Sequence, residues 1–303
     1  MNTTNWQRTR AELAIAAVSF IWGATFVVVK SALADASTLV FLALRFALAT
    51  LLMVAMFAFQ RGALRDFRAH WRGGLTCGFF LFIGYALQTA GLQTTAASKS
   101  AFLTGLFVVL VPLMSSLLKR RAPRPAESLG AVLALGGTAL LTLDPSAGLR
   151  LSVGDVLTIG CAIAFSAHML AVERFTSPRS HQALALWQVA GVGVFSAAGC
   201  FWIEPPRLQM TARLAWALVV TALLATTVSF ALYTWAQART TANRASIIFA
   251  LEPVFASITA WLWAHESWTL RTFAGGALIL GAIVLVELKP SILQTHPQKQ
   301  PGT

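Results

Sequence analysis

The chain has 303 residues, of which 57% are hydrophobic and only 11% are charged. Soluble domains carry about 25% charged residues, so this composition excludes an ordinary soluble enzyme or binding domain. The formal net charge of +12 does not indicate nucleic-acid binding, because the basic residues lie between apolar segments and form no continuous stripe beside aromatic residues.

Ten apolar segments follow one another along the chain, each close to the roughly 20 residues that a helix needs to cross a hydrocarbon core. The connections between them are short and leave no room for a soluble domain. The predicted spans are 11–30, 38–59, 73–93, 99–118, 126–143, 153–173, 180–202, 213–236, 244–264 and 270–288. The sequence therefore predicts an all-α polytopic membrane protein with ten transmembrane helices.

The basic residues between these spans predict the orientation in the membrane. With the N-terminus in the cytoplasm, sixteen Lys and Arg residues fall in cytoplasmic segments and six fall in outer segments, while Arg45 alone lies within a span. Loops rich in Lys and Arg stay on the cytoplasmic side. We therefore expect a multi-pass protein of the cytoplasmic (inner) membrane with both termini in the cytoplasm.

The second half of the chain repeats the first. Adding 145 to residue numbers between 87 and 143 brings the two halves into register. The clearest pairs are Lys99 with Arg244, Gly130 with Gly275 and Gly136 with Gly281. Leucine pairs such as Leu106 with Leu251 also match, but they are common in apolar sequence. In the earlier spans an offset of 143 matches better, and it places Trp22 on Phe165 and Arg45 on Gln188.

A unit with five crossings must be inverted when a second copy follows it in the same chain. Inverted repeats of this kind are typical of secondary transporters, which place the substrate site between the two copies. We expect a first five-helix repeat at 11–143, a second, inverted repeat at 153–288, and a cytoplasmic tail at 289–303.

Small residues within the spans predict how the helices pack. Little hydrophobic force acts between helices in lipid, so close backbone approach supports their association. The glycines expected to hold helices together are Gly74, Gly78, Gly130, Gly136, Gly275 and Gly281. The three cysteines lie in different spans without metal-like spacing, so we expect no disulfide, no metal site and no cofactor.

Short motifs in the first and ninth spans indicate a family. They are Ile21-Trp22-Gly23, Leu251-Glu252-Pro253-Val254-Phe255, and Trp263-Ala264-His265-Glu266 followed by Gly275. With the ten spans in two halves, they resemble the EamA branch of the drug/metabolite transporter (DMT) superfamily over about 12–288. The resemblance implies export of small metabolites, often amino acids or their relatives, driven by an ion gradient or by the solute gradient. The first half departs from the pattern, because Val111-Pro112 has no Glu beside its proline.

Arg45 is the most costly residue to place in a membrane. A charge at that depth costs on the order of 3 kcal/mol on insertion scales, and a guanidinium group does not lose its proton. Arg45 must therefore face a polar cavity or bind partners. It could bind a substrate carboxylate with its planar donors, or it could be a structural clamp on carbonyl groups or on Glu252.

Glu252 lies inside the ninth span, where a carboxyl group either pairs with a cation or carries a proton. Proton exchange at this position is what a proton-coupled carrier needs. Pro253 removes a backbone donor, so the helix can kink at the glutamate, and Pro112 is expected to act similarly in the fourth span. The alternative is that Glu252 caps a broken helix or pairs with Arg45.

Further polar and aromatic residues lie at depths where an interfacial position does not explain them. His168 could relay protons or donate one structural hydrogen bond, and Gln188 occupies the position equivalent to Arg45. The remaining candidates for a substrate-binding cavity are Trp22, Tyr85, Gln88, Trp187, Tyr233 and Trp235.

These residues favour a secondary transporter that exports a small metabolite, such as an amino acid, by alternating access. A carrier of the same fold for drugs, nucleosides or sugar-linked compounds, or a passive channel, stays an alternative. The sequence has no nucleotide-binding Gly-x4-Gly-Lys-Ser/Thr motif and no hydrolase Gly-x-Ser-x-Gly motif, so we expect neither an ATP-driven pump nor an enzyme. The expected partners are a small-molecule substrate, the lipid bilayer and protons as a coupling ion.

Overall fold

The computed structural model describes residues 5–58, 67–95, 97–142, 151–255, 258 and 269–288. These residues are almost entirely helical, with no strand beyond one isolated bridge between Ala36 and Leu208 in the ranges described. The helices are α1 (Asn5–Ala32), α2 (Thr38–Ala58), α3 (Trp71–Leu92), α4 (Ala97–Thr104), α5 (Phe107–Lys119), α6 (Pro125–Thr142), α7 (Val153–Phe175), α8 (His181–Gly199), α9 (Ala212–Ala222), α10 (Ser229–Gln237), α11 (Ala242–Phe249) and α12 (Leu270–Leu288).

Seven helical stretches in this part of the chain are long and apolar enough to cross a membrane. They are Trp6–Ala32, Thr38–Ala58, Phe67–Leu92, Lys99–Lys119, Val153–Phe175, His181–Gly199 and Ala212–Gln237. They coincide with the predicted spans one to four and six to eight. Helices α6 and α12 lie at the predicted fifth and tenth positions.

The predicted ninth span is only partly described. Helix α11 and a short helical segment at 252–255 form its first half. Trp263, His265 and Glu266 of the predicted motif lie outside the described residues.

Helices α2 and α8, the second helix of each half, pack against each other and run in opposite directions. Gly199 lies against Leu39, and Gly193 lies against Phe46, so residue numbers fall along one helix as they rise along the other. Helices α6 and α12 form a second antiparallel contact of the same kind. The corresponding helices of the two halves are therefore antiparallel at both contacts.

The prediction that Gly74 and Gly78 hold helices together is confirmed, and the contact they make is between α3 and α8. A Cβ atom added at Gly74 would lie 2.2 Å from the Cβ atom of Trp187, and one added at Gly78 would lie 3.0 Å from the carbonyl oxygen of Gln188. Only glycine permits this close approach of the two backbones.

The prediction for α6 and α12 is correct for Gly130 and wrong for Gly136 and Gly281. Gly130 lies against Val286, whereas a Cβ atom added at Gly136 or Gly281 would have no neighbour within 4 Å. The residue that does meet α12 is Gly137. Because 130 and 137 are two helical turns apart, they share the face that packs on α12, and residue 136 points about 100° away from it.

Two helices are broken at equivalent positions of the repeat. The first break separates α4 from α5 at Gly105–Leu106, and the second follows α11 at Ala250–Leu251, 145 residues later. In each case the second residue of the break donates its N–H to the carbonyl three residues back, at 3.3 Å in the first repeat and 3.0 Å in the second. The sequence repeat is thus also a repeat of local backbone geometry.

The α1–α2 connection is tied to the segment that leads into α9. The Asp35 carboxylate accepts hydrogen bonds from Arg213 Nε and Nη2, each at 2.8 Å, and from the Thr211 hydroxyl at 2.7 Å. The hydrogen bond from Arg213 and then that from Thr211 lower the pKa of Asp35 to about 2. The carboxylate therefore stays ionised, and the tie stays formed, well below neutral pH.

Candidate functional site

A cavity of about 70 Å³ lies at the centre of the helical bundle. The cavity is lined by residues of α1, α2, α3, α4, α5, α7, α10, α11 and the segment after the second helix break. The structure brings seven of the predicted site residues to this wall. They are Trp22, Arg45, Tyr85, Gln88, His168, Tyr233 and Glu252.

The wall is built largely from equivalent positions of the two halves. At an offset of 143 the lining pairs are Trp22 with Phe165, Thr25 with His168 and Phe26 with Met169; at an offset of 145 they are Tyr85 with Phe230, Gln88 with Tyr233, Thr104 with Phe249 and Phe107 with Glu252. Even a ring contact is repeated, because Trp22 lies 5.6 Å from Phe230 and Phe165 lies 5.3 Å from Tyr85. The cavity therefore lies where the two repeats meet.

The paired positions differ in chemistry. The residue equivalent to Glu252 is Phe107, and the residue equivalent to His168 is Thr25. Arg45 lines the wall, whereas its equivalent Gln188 does not. The cavity thus has a symmetric frame with an asymmetric set of charged and polar groups.

Arg45 is held by the other half of the protein. Its Nε donates a hydrogen bond of 2.9 Å to the Thr226 hydroxyl, and its guanidinium carbon lies 5.0 Å from the centre of the Tyr85 ring and 5.3 Å from that of Phe46. No salt bridge among the described residues joins it to Glu252. One edge of the guanidinium is therefore anchored, while the side chain still reaches the cavity.

The anchor of Arg45 lies in a π-helical stretch, Leu223–Val228, between α9 and α10. The same stretch accepts a hydrogen bond of 2.9 Å from the Trp22 indole N–H at the carbonyl of Ala225. The wider π turn leaves backbone carbonyls available to side chains, and such turns are frequent at functional sites. Sequence reasoning missed Thr226, and its only signal was a pair of threonines within an apolar segment.

His168 and Gln188 form a buried chain of hydrogen bonds behind the wall. His168 Nε2 lies 2.7 Å from Gln188 Oε1, and Gln188 Nε2 donates to the Thr234 hydroxyl at 2.9 Å. Because the Gln188 amide nitrogen faces Thr234, its oxygen faces the histidine, so Nε2 of His168 carries the hydrogen. Gln188 therefore orients the imidazole and does not reach the cavity itself.

Glu252 directly follows the second helix break at Ala250–Leu251 and is 9% exposed. It lines the cavity, and no hydrogen bond or ion pair from the described residues reaches its carboxylate. Pro253 follows it directly. The helix break of the first repeat lies at Gly105–Leu106. It does not lie at Pro112, which is inside α5.

The comparisons with known proteins agree with this architecture. Residues 9–143 and 152–288 each match the EamA-like transporter family. The chain belongs to the EamA-like transporter family. It is 31% identical over 283 residues to an uncharacterized transporter of Archaeoglobus fulgidus, covering 93% of this chain and 87% of that protein.

Two other similarities support the same family and fold. The uncharacterized transporter YoaV of Bacillus subtilis is 23% identical over 281 residues, which covers 90% of this chain and 95% of YoaV. A solved crystal structure with 19% sequence identity superposes with a TM-score of 0.76, covering 92% of this chain and 97% of the solved one. This EamA-like transporter is thus a multi-pass membrane protein whose helical fold is shared with a solved structure.

Two predicted site residues of the transporter lie away from the central cavity. Trp187 stacks on Phe67 with ring centres 4.4 Å apart and donates its indole N–H to the Phe67 carbonyl. Trp235 lies under the guanidinium of Arg239, 4.4 Å from its ring centre, and lines a separate peripheral groove.

Proposed function

We propose that this EamA-like transporter is a secondary carrier that exports small metabolites, with amino acids or related compounds as cargo, across the cytoplasmic membrane by alternating access. The observation that carries this proposal is the composition of the cavity wall, in which seven pairs of positions are equivalent in the two repeats. A site shared by two similar halves can be closed from either end by similar movements.

Three structural features support an inverted arrangement of ten crossings. The corresponding helices α2 and α8 are antiparallel, as are α6 and α12. The two broken helices carry their breaks 145 residues apart. The excess of basic residues in the segments predicted to be cytoplasmic supports cytoplasmic termini.

The chemistry of the wall suits an amphipathic molecule. Arg45 offers guanidinium donors to an anionic group such as a carboxylate, and Glu252 offers an acceptor to a cationic or proton-donating group. Trp22, Phe230 and Tyr233 supply apolar surface between them. Glu252 is also the group we assign to proton coupling, since no described residue pairs with its buried carboxyl group, and such a group can carry a proton in one state and release it in another.

Transport by purified protein in liposomes tests the proposal. Labelled amino acids should enter with saturable kinetics and should exchange against unlabelled substrate, whereas flux that rises linearly with concentration would indicate a channel. Comparing metabolites in the medium of cells with and without the overproduced protein identifies the cargo. A drug, nucleoside or sugar-linked compound found there would replace the amino-acid assignment.

A substitution at Glu252 tests the coupling role. Glu252→Gln should transport with no dependence on an imposed pH gradient. The matched control is Glu127→Gln, which alters a carboxylate bound to Asn243 at 2.7 Å outside the cavity and should keep the dependence of the unchanged protein. A pH dependence that survives in Glu252→Gln would remove Glu252 from coupling.

A further inference from the structure

Two ion pairs occupy equivalent positions of the repeat. Lys99 Nζ lies 2.7 Å from Asp155 Oδ2, and Arg244 Nη1 lies 3.1 Å from Glu12 Oε1. Lys99 and Arg244 are 145 residues apart, while Glu12 and Asp155 are 143 residues apart. These are the same two offsets that relate the lining residues of the cavity, so exchange of the two repeats converts one ion pair into the other.

The two pairs lie at opposite ends of the bundle, as the course of α1 shows. Glu12 is near the N-terminal end of α1, and Lys30 is near its C-terminal end, about 27 Å away at 1.5 Å per residue. Lys30 donates to the carbonyl of Thr95 at 2.8 Å, and the Thr95 hydroxyl donates to Asp155 at 3.0 Å. The pair that contains Asp155 is therefore at the C-terminal end of α1.

Each pair joins the two repeats next to a broken helix. Lys99 is in α4 and contacts α7 of the second repeat, and Arg244 is in α11 and contacts α1 of the first repeat. At the other tip of these half-helices, Thr104 and Phe249 line the cavity. A movement that separates either half-helix from the opposite repeat would open the cavity toward that end, and it would have to break the ion pair there.

We propose that these ion pairs are reciprocal latches, with Lys99–Asp155 closing the cavity at the C-terminal end of α1 and Arg244–Glu12 closing it at the N-terminal end. Opening to one end breaks the latch at that end while the other latch stays formed. This inference rests on the proposed alternating access. Each pair has one well-buried partner, since Asp155 is 1% exposed beside Lys99 at 31%, and Arg244 is 9% exposed beside Glu12 at 14%.

The acidic partners have further bonds, which guides the choice of variants. Asp155 also accepts a hydrogen bond from the Ser152 N–H at 2.7 Å within a capping box at the start of α7. Glu12 also lies 3.5 Å from Arg8, one turn earlier in α1. Replacing the basic partner therefore removes the ion pair and leaves the helix cap intact.

Accessibility of a cysteine in the cavity wall measures the latches. Met169→Cys introduces a thiol at the wall, and labelling by a membrane-impermeant maleimide is timed in sealed vesicles of each orientation. The native Cys77, Cys161 and Cys200 are buried, so the protein without the Met169 substitution supplies the background. Transport is not needed for this readout.

The two latches should shift the labelling in opposite directions. Lys99→Gln should raise the labelling rate from the C-terminal end of α1 by about threefold to tenfold and lower it from the other end, because loss of one pair shifts the population toward the opposite latch. Arg244→Gln should do the reverse. Glu12→Gln should act like Arg244→Gln, and Arg8→Gln, which breaks a pair within one helix, should shift neither rate.

The outcomes separate this inference from the proposed function. If Met169→Cys is labelled from both ends and the variants leave the two rates unchanged, or shift both in the same direction, the latches alone are overturned. Labelling of Met169→Cys from a single end under all conditions, with and without substrate, would overturn alternating access and the latches with it.

Discussion

Replacing Thr226 with valine removes the acceptor that anchors Arg45 while keeping the shape of the side chain. In the folded protein the Arg45 Nε–H donates to this hydroxyl at 2.9 Å, and the hydroxyl donates to the Thr221 carbonyl at 2.9 Å. A hydrogen bond to a charged group contributes about 1.5–3 kcal/mol when its loss leaves the charged partner buried. We expect Thr226→Val to lower the free energy of unfolding by an amount in this range.

The adjacent residue supplies a matched control. The Thr227 hydroxyl donates to the Ala49 carbonyl at 3.2 Å, which is a neutral bond between the same two elements. Such bonds in membrane proteins contribute about 0.6 kcal/mol on average. Thr227→Val should therefore cost about 1–2 kcal/mol less than Thr226→Val, and Thr226→Ser, which keeps the hydroxyl, should be close to neutral.

Equilibrium unfolding in mixed micelles, with increasing denaturing detergent, measures these differences. The same proteins in liposomes should show a weaker apparent affinity for substrate in Thr226→Val alone, because the guanidinium that faces the cavity is no longer oriented. Equal losses of stability in the two valine variants would refute this account of Arg45.

Two other predictions concern the frame around the site. Gly137→Ala would place a methyl group 2.6 Å from the Gly275 carbonyl oxygen and should lower the free energy of unfolding by about 1–3 kcal/mol. Gly136→Ala, whose methyl group would have no neighbour within 4 Å, should be neutral or raise the free energy of unfolding by up to about 1 kcal/mol. Equal shifts of the melting temperature in the two variants would contradict the assigned helix face. Because Arg213 lowers the pKa of Asp35 to about 2, their contribution to stability is full above about pH 4 and is lost as the pH falls toward 2. Arg213→Ala should therefore lower the melting temperature equally at pH 8 and pH 5, and a difference that already shrinks between those values would be inconsistent with the lowered pKa.

Much of the helical architecture follows from the sequence because its signals are local or periodic. The length of each apolar segment predicted seven of the helices that the structure shows as candidate spans. The offsets of 143 and 145 predicted which residues are equivalent, and the paired lining of the cavity by Trp22 and Phe165 follows the same offsets. Arg45 and Glu252 stood out because a charge in a membrane needs a cavity or a partner.

The direction in which each side chain points was decided by the tertiary structure. Position along a membrane helix predicts depth, but a helix that is apolar all round gives no sign of which face meets its neighbours. For this reason Gln188 lies behind the wall, Trp187 and Trp235 lie away from it, and Gly137 rather than Gly136 meets α12. Local and periodic patterns in the chain specify the helices, the repeat and the charges that are costly in a membrane. The rotation of each helix about its axis, which is set by packing against nonlocal partners, specifies which residues form the site.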